Sequence, residues 1–108
     1  MAKGESWEQR FKNAVEAVRN GRFDEFKATL EALAFEFKET KDPNHWMYFH
    51  RLLREDPFFR YPRNLYRQHG SRRSLDRISR HDQGQAKQMI DTLRGVIGSS
   101  QDKGGDDQ

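Results

Sequence analysis

Asn44 to Glu55 reads NHWMYFHRLLRE, and the fold of this chain turns on how those residues are laid out. Trp46, Phe49, His50 and Leu53 fall on one stripe at helical spacing, while Met47, Tyr48 and Leu52 spread apolar surface around most of the remaining circumference. A helix that is apolar on nearly every side has to be buried, so this stretch predicts the most deeply packed helix of a bundle. The preceding Lys41-Asp42-Pro43-Asn44 is a break, because proline suits a turn or a first helical turn and not a helix interior.

Upstream, Ser6 and Gln9 stand at capping-box spacing. Trp7, Phe11, Ala14, Val15 and Val18 then mark one face of a first helix over residues 7–20, closed by Gly21 as the left-handed residue. Phe23, Phe26, Leu30, Leu33 and Phe37 alternate steps of three and four. They predict a second helix over 23–40, folded back on the first across Asn20-Gly21-Arg22, with Ala28, Ala32 and Phe35 facing a further neighbour. The run AVEAVRNGRFDEFKATLEALA resembles one tetratricopeptide-type helical hairpin. No second copy follows at the roughly 34-residue spacing of an array, so the resemblance implies hairpin geometry alone.

Downstream, Asp56-Pro57 and Tyr61-Pro62 bracket Phe58 and Phe59, which predicts an ordered loop or single turn. Asn64 to His69 predicts one short helical turn ending at Gly70. Ser71 or Ser74 is placed to cap a further short helix, with Leu75 and Ile78 inward and Arg72, Arg73, Arg77 and Arg80 outward. Asp82 and Gln85 repeat the capping pattern before Ala86, Met89, Ile90, Leu93, Val96 and Ile97, an amphipathic helix that Gly98 closes. The polar remainder, SSQDKGGDDQ, has nothing apolar to bury and is expected to be disordered. No segment alternates with period two for long enough to suggest a strand. The expected fold is therefore all-α: a compact bundle of four main helices plus one short helix in a single domain over 1–98, followed by a disordered polar tail over 99–108.

At 108 residues the chain has room for one domain. A core this small, with no disulfide to support it, is expected to gain stability from a homodimer or a partner. The absence of cysteine rules out thiol chemistry and Cys-ligated zinc. No apolar run approaches the roughly 18–20 residues that span a bilayer, and MAKGESWEQR is no export signal, so a soluble cytoplasmic protein without membrane contact is expected. Charge is unevenly placed. Residues 1–42 hold eight bases and nine acids, whereas residues 43–97 hold eleven bases and five acids. Local field of this kind, more than total charge, attracts anions.

Most of that excess lies in PFFRYPRNLYRQHGSRRSLDRISRH, residues 57–81, which carries seven arginines, one acid and four aromatics. Guanidinium groups bridge phosphate oxygens with paired hydrogen bonds, and aromatic faces stack on unpaired bases. Arg60, Arg63, Arg67, Arg72, Arg73, Arg77 and Arg80 are the candidate phosphate contacts, with Tyr61 and Tyr66 the candidate stacking residues. A non-enzymatic module binding an anionic partner, RNA or DNA, is one reading. The alternative is a small regulatory or inhibitory protein, of the kind viruses and mobile elements encode, that docks on another protein through Phe35, Phe59, Tyr61, Tyr66 and adjacent arginines. A structural reading stands beside both, in which Phe58, Phe59, Leu65, Leu75 and Ile78 are core and some arginines pair with acids of the first half. No cofactor motif is present. His45, His50, His69 and His81 lack the spacing of a helical metal site, and His50, on an apolar stripe, reads as a hydrogen-bonded core residue. Arg63-Asn64 followed by His69 resembles the signature of the HEPN ribonucleases, small helical proteins. That resemblance implies His69 as acid or base and Arg63 as the stabiliser of a phosphate in RNA cleavage, a third reading.

Overall fold

Aromatic residues turn the centre of the chain into sheet. The computed structural model describes residues 6–70 and 76–106, with side chains in the last helix followed to residue 98. Its elements are α1 (Trp7–Asn20), α2 (Phe23–Ala32), β1 (Glu36–Glu39), β2 (His45–Phe49), a 3-10 turn (Arg51–Leu53), β3 (Arg63–Tyr66) and α3 (Arg80–Asp106). The strands form one antiparallel sheet in the order β1-β2-β3. The expected all-α helical bundle is thereby overturned: the fold is mixed α and β, with three helices and a three-stranded sheet among the described residues.

The expected second helix stops early because the backbone turns left-handed at Ala34, φ 75°. The amide of Phe35 then closes on the Leu30 carbonyl at 3.0 Å, an ending that usually falls on glycine. Beyond it the side chains alternate. Phe37 pairs with Tyr48 and Lys38 with Met47 across β1 and β2. Tyr48 is fully buried, edge-on to Phe26 at 6.0 Å and stacked on Phe37 at 5.4 Å. Trp46 points the same way, against Phe23 at 6.1 Å. Aromatic side chains suit this pleated, half-buried setting. Lys41-Asp42-Pro43-Asn44 is the hairpin turn between the two strands, where the Asp42 carboxylate accepts the Asn44 amide at 2.8 Å and the Thr40 hydroxyl donates to the His45 carbonyl at 2.9 Å.

Two further expectations are corrected in the second half. Asn64 to Tyr66 is part of a strand, not a helical turn, pairing with His45, Trp46 and Met47. Ser71 and Ser74, the expected caps of a short helix, lie outside the described residues, but Ile78 is buried on extended chain, where Arg77 bridges to both Gln68 and Arg22. The last helix starts at Arg80, with the Ser79 hydroxyl, not Asp82, as its cap: it accepts the Asp82 amide at 3.1 Å. That helix continues to Asp106, past Gly98. At the other end of the chain the sequence reading holds, with Ser6 capping α1 through the Gln9 amide and Gly21 closing it at φ 72°.

The core lies between the inner face of the sheet and the three helices. Phe26, Leu30 and Leu33, Tyr48 and Leu65, and Met89, Ile90 and Leu93 are its fully buried members. His50 is buried beside them. One ring nitrogen donates to the Leu33 carbonyl at 2.7 Å and the other accepts the Leu52 amide at 3.0 Å.

Candidate nucleic-acid interface

The structure divides the arginines of residues 57–81 into two groups. Arg67 is a structural side chain: it lies over the Phe23 ring at 5.3 Å, bonds the Pro43 carbonyl at 3.2 Å, and stands 3.8 Å from the buried Asp76 carboxylate. Arg77 is exposed but turned to the end of α1, where it donates to the Asn20 carbonyl at 3.4 Å. Arg72 and Arg73 lie outside the described residues. The remaining three, Arg60, Arg63 and Arg80, belong to the loop before β3, the start of β3 and the first turn of α3.

Those segments enclose a hollow of about 690 Å³ lined by Phe58, Phe59, Arg63, Arg80, His81, Gln85 and Gln88, among others. The Asp56-Pro57 sequence builds its outer wall, because the Asp56 carboxylate accepts the amides of Phe58 and Phe59 at 2.8 and 2.9 Å. That tight turn buries Phe59 and leaves the Phe58 ring 71% exposed at the rim. Arg63 sits on the floor. Its guanidinium bonds the Phe58 carbonyl and lies 5.2 Å from the Phe59 ring centre, while its Nε is buried with no partner. Nearby, burial pushes the Tyr48 hydroxyl well above its ordinary range, so it stays a neutral phenol; the Gln85 side chain interacts with it, though no hydrogen bond of standard geometry forms. The one acid on the lining, Asp91, is engaged by Lys87 at 3.2 Å.

Arg80 and Gly84 also line a second hollow, of about 410 Å³, whose other cationic residues are Arg19 and Lys87. Arg80 thus stands between two concavities, with Arg63 and His81 on one side and Arg19 and Lys87 on the other. Arg60 is exposed, its guanidinium 5.1 Å from the exposed Tyr61 ring, and neither residue lines either hollow. Of the residues expected from the sequence, the hollows bring together Arg63 and Arg80; Arg60 and Tyr61 lie in the loop before β3 but off the linings, and Arg67 and Arg77 are engaged elsewhere. Tyr66 lies elsewhere, on the outer face of the sheet, 46% exposed. Arg19, Lys87, His81 and Phe58 are additions. Arg19 and Lys87 look like ordinary solvent-facing helix positions in sequence, and only the packing of α1 against α3 brings them together.

Other expectations fare differently in the geometry. Phe35 and Phe59 are core residues, so the aromatic docking patch reduces to Tyr61 and Tyr66. Arg63 and His69, joined by the HEPN resemblance, are separated by mostly extended chain, roughly 20 Å at the rise of a strand. His69 instead faces Asp76 at 3.6 Å. Among the described residues no group of three or more His, Asp or Glu side chains is placed to hold a metal ion, and no helix is long and apolar enough to cross a membrane. No protein-family model, curated protein or solved structure matches this chain.

Proposed function

We propose that this protein is a non-enzymatic nucleic-acid-binding module whose contact surface is centred on Arg80. The observation that carries the reading is the position of Arg80 between two hollows that also carry Arg63 and Arg19, with the exposed Phe58 ring on the lining of the first. Separated cations along a concave track suit a chain of phosphates better than a single anion, because each neutralised phosphate releases condensed counterions. Asp91, on the lining of the first hollow, is paired with Lys87, so the positive excess of the two linings rests on Arg63, Arg80 and Arg19.

Binding to a labelled RNA or DNA oligonucleotide is expected to weaken steeply as salt rises. Arg80→Glu should lower affinity across sequences and reduce the log-log salt slope by about 1 or more, as loss of a phosphate contact does. Arg77→Glu, on a side chain turned to the end of α1, is the control and should change the slope less. Salt-insensitive binding, or none to either nucleic acid at low salt, would refute the reading.

A further inference from the structure

β2 carries apolar or aromatic side chains on both of its faces. Trp46 and Tyr48 enter the core, while His45, Met47 and Phe49, each half-buried, alternate to the other side. An antiparallel sheet with one face in water ordinarily sets polar residues on that face. Here the outer face instead carries aromatic rings, with Tyr66 exposed and His45 and Phe49 half-buried. His45 and Tyr66, directly opposite each other in β2 and β3, stack at 4.4 Å with planes 11° apart, and His45 is held in place by a 2.8 Å hydrogen bond to the Asn64 side chain. Lys38 lies on the same face beside Met47. The acid there, Glu36, is paired with Arg51, whose guanidinium holds the carboxyl below its ordinary range.

The outer face and the cationic hollow adjoin at the junction of β3 with α3. β3 is an edge strand, and α3 meets it there: Asp82 accepts the Tyr66 amide at 3.1 Å, and Gln85, on the lining of the hollow, donates to the Asn64 carbonyl at 3.4 Å. Arg63, opposite the buried Tyr48, belongs to the inner face of the sheet, so a strand whose phosphates engage Arg80 reaches the outer face by crossing that junction. Duplex nucleic acid keeps its base faces stacked and hidden, so flat exposed rings gain nothing from it.

We infer that the outer face of the sheet is a stacking platform for the unpaired bases of single-stranded nucleic acid, with the His45–Tyr66 pair at its centre. The inference rests on the proposed nucleic-acid binding and adds the class of ligand. It is tested with a short fluorescein-labelled oligouridylate and a duplex of equal length, titrated at one ionic strength with the wild type, Tyr66→Ala, Tyr66→Phe and Arg80→Glu. The single strand should bind more tightly than the duplex. Tyr66→Ala should weaken it roughly five-fold or more, the loss of one base stack, without changing the salt slope, and Tyr66→Phe should restore it. Far-UV circular dichroism establishes that each variant is folded. Equal affinity for the two ligands, or no effect of Tyr66→Ala in a folded variant, overturns the platform while leaving an Arg80-dependent binding surface intact. Binding of neither ligand overturns both. A dimer that Tyr66→Ala dissociates would mean that a second copy covers this face, and the inference falls.

Discussion

His50 shows how a single side chain couples this fold to pH. Both ring nitrogens are committed, one donating to Leu33 and the other accepting from Leu52, which is possible only for the neutral ring. A proton added at Nδ1 would face the Leu52 amide donor to donor. Burial lowers the pKa of His50 from its ordinary 6.5, against the opposing pull of the Leu33 carbonyl and of Glu36. The unfolded chain therefore takes up the proton first. The contribution of His50 to stability is complete above about pH 6.5 and is lost as pH falls from there through the folded-state pKa. Urea midpoints measured from pH 7.5 down to pH 5 should fall in the wild type. In His50→Gln, which starts lower, they should fall less; equal slopes would exclude His50 as the source. The sequence foretold this buried histidine correctly from its apolar stripe, because residues 46 and 50, four apart, share a face whether the segment is coiled or extended.

At the level of elements, the segment from Leu33 to Glu39 fits two periods at once. Leu30, Leu33 and Phe37 continue a helical seam, and Phe35, Phe37 and Glu39 alternate as a strand does. The deciding feature is Ala34, a non-glycine in the left-handed region that carries no stop signal in its side chain. Left-handed geometry costs an L-residue roughly 1–2 kcal/mol, whereas glycine adds up to about 1 kcal/mol of unfolded-state entropy. Ala34→Gly should thus stabilise the protein by about 0.5–1 kcal/mol, read as a higher denaturant midpoint at unchanged m-value. β2 was hidden for a different reason. Its outer positions are as apolar as its inner ones, so no alternation of polarity marks it, and a short all-apolar run reads equally well as buried helix. In the candidate site, the seven arginines of residues 57–81 carry one undivided signal in the sequence, and only the fold separates Arg63 and Arg80, on the hollows, from Arg67 and Arg77. The role of Arg67 was not legible, since its partners Phe23, Pro43 and Asp76 are brought to it only by the tertiary fold.

For the molecule as a whole, stability depends on how α3 and the strand-like segment before it clasp the turn between α1 and α2. Gln83 donates to the Val18 and Arg19 carbonyls at 2.7 and 3.4 Å, the Ile78 amide to the Gly21 carbonyl at 2.9 Å, and the Phe23 amide to the Asp76 carbonyl at 2.9 Å. Gln83→Ala leaves orphan carbonyls at the end of α1 and should cost about 1 kcal/mol, visible as a Tm lowered by roughly 4–8 °C. An unchanged Tm would show that water replaces the amide without loss. Two of these contacts, Arg77 to Asn20 and Gln83 to Val18, join residues 57 and 65 positions apart. Closing such loops requires backbone entropy to be surrendered before any reward is returned, which slows folding relative to a bundle of neighbouring helices. During synthesis the first two helices consequently remain unfastened until residues 76–83, more than fifty positions downstream of their partners in the turn, have left the ribosome.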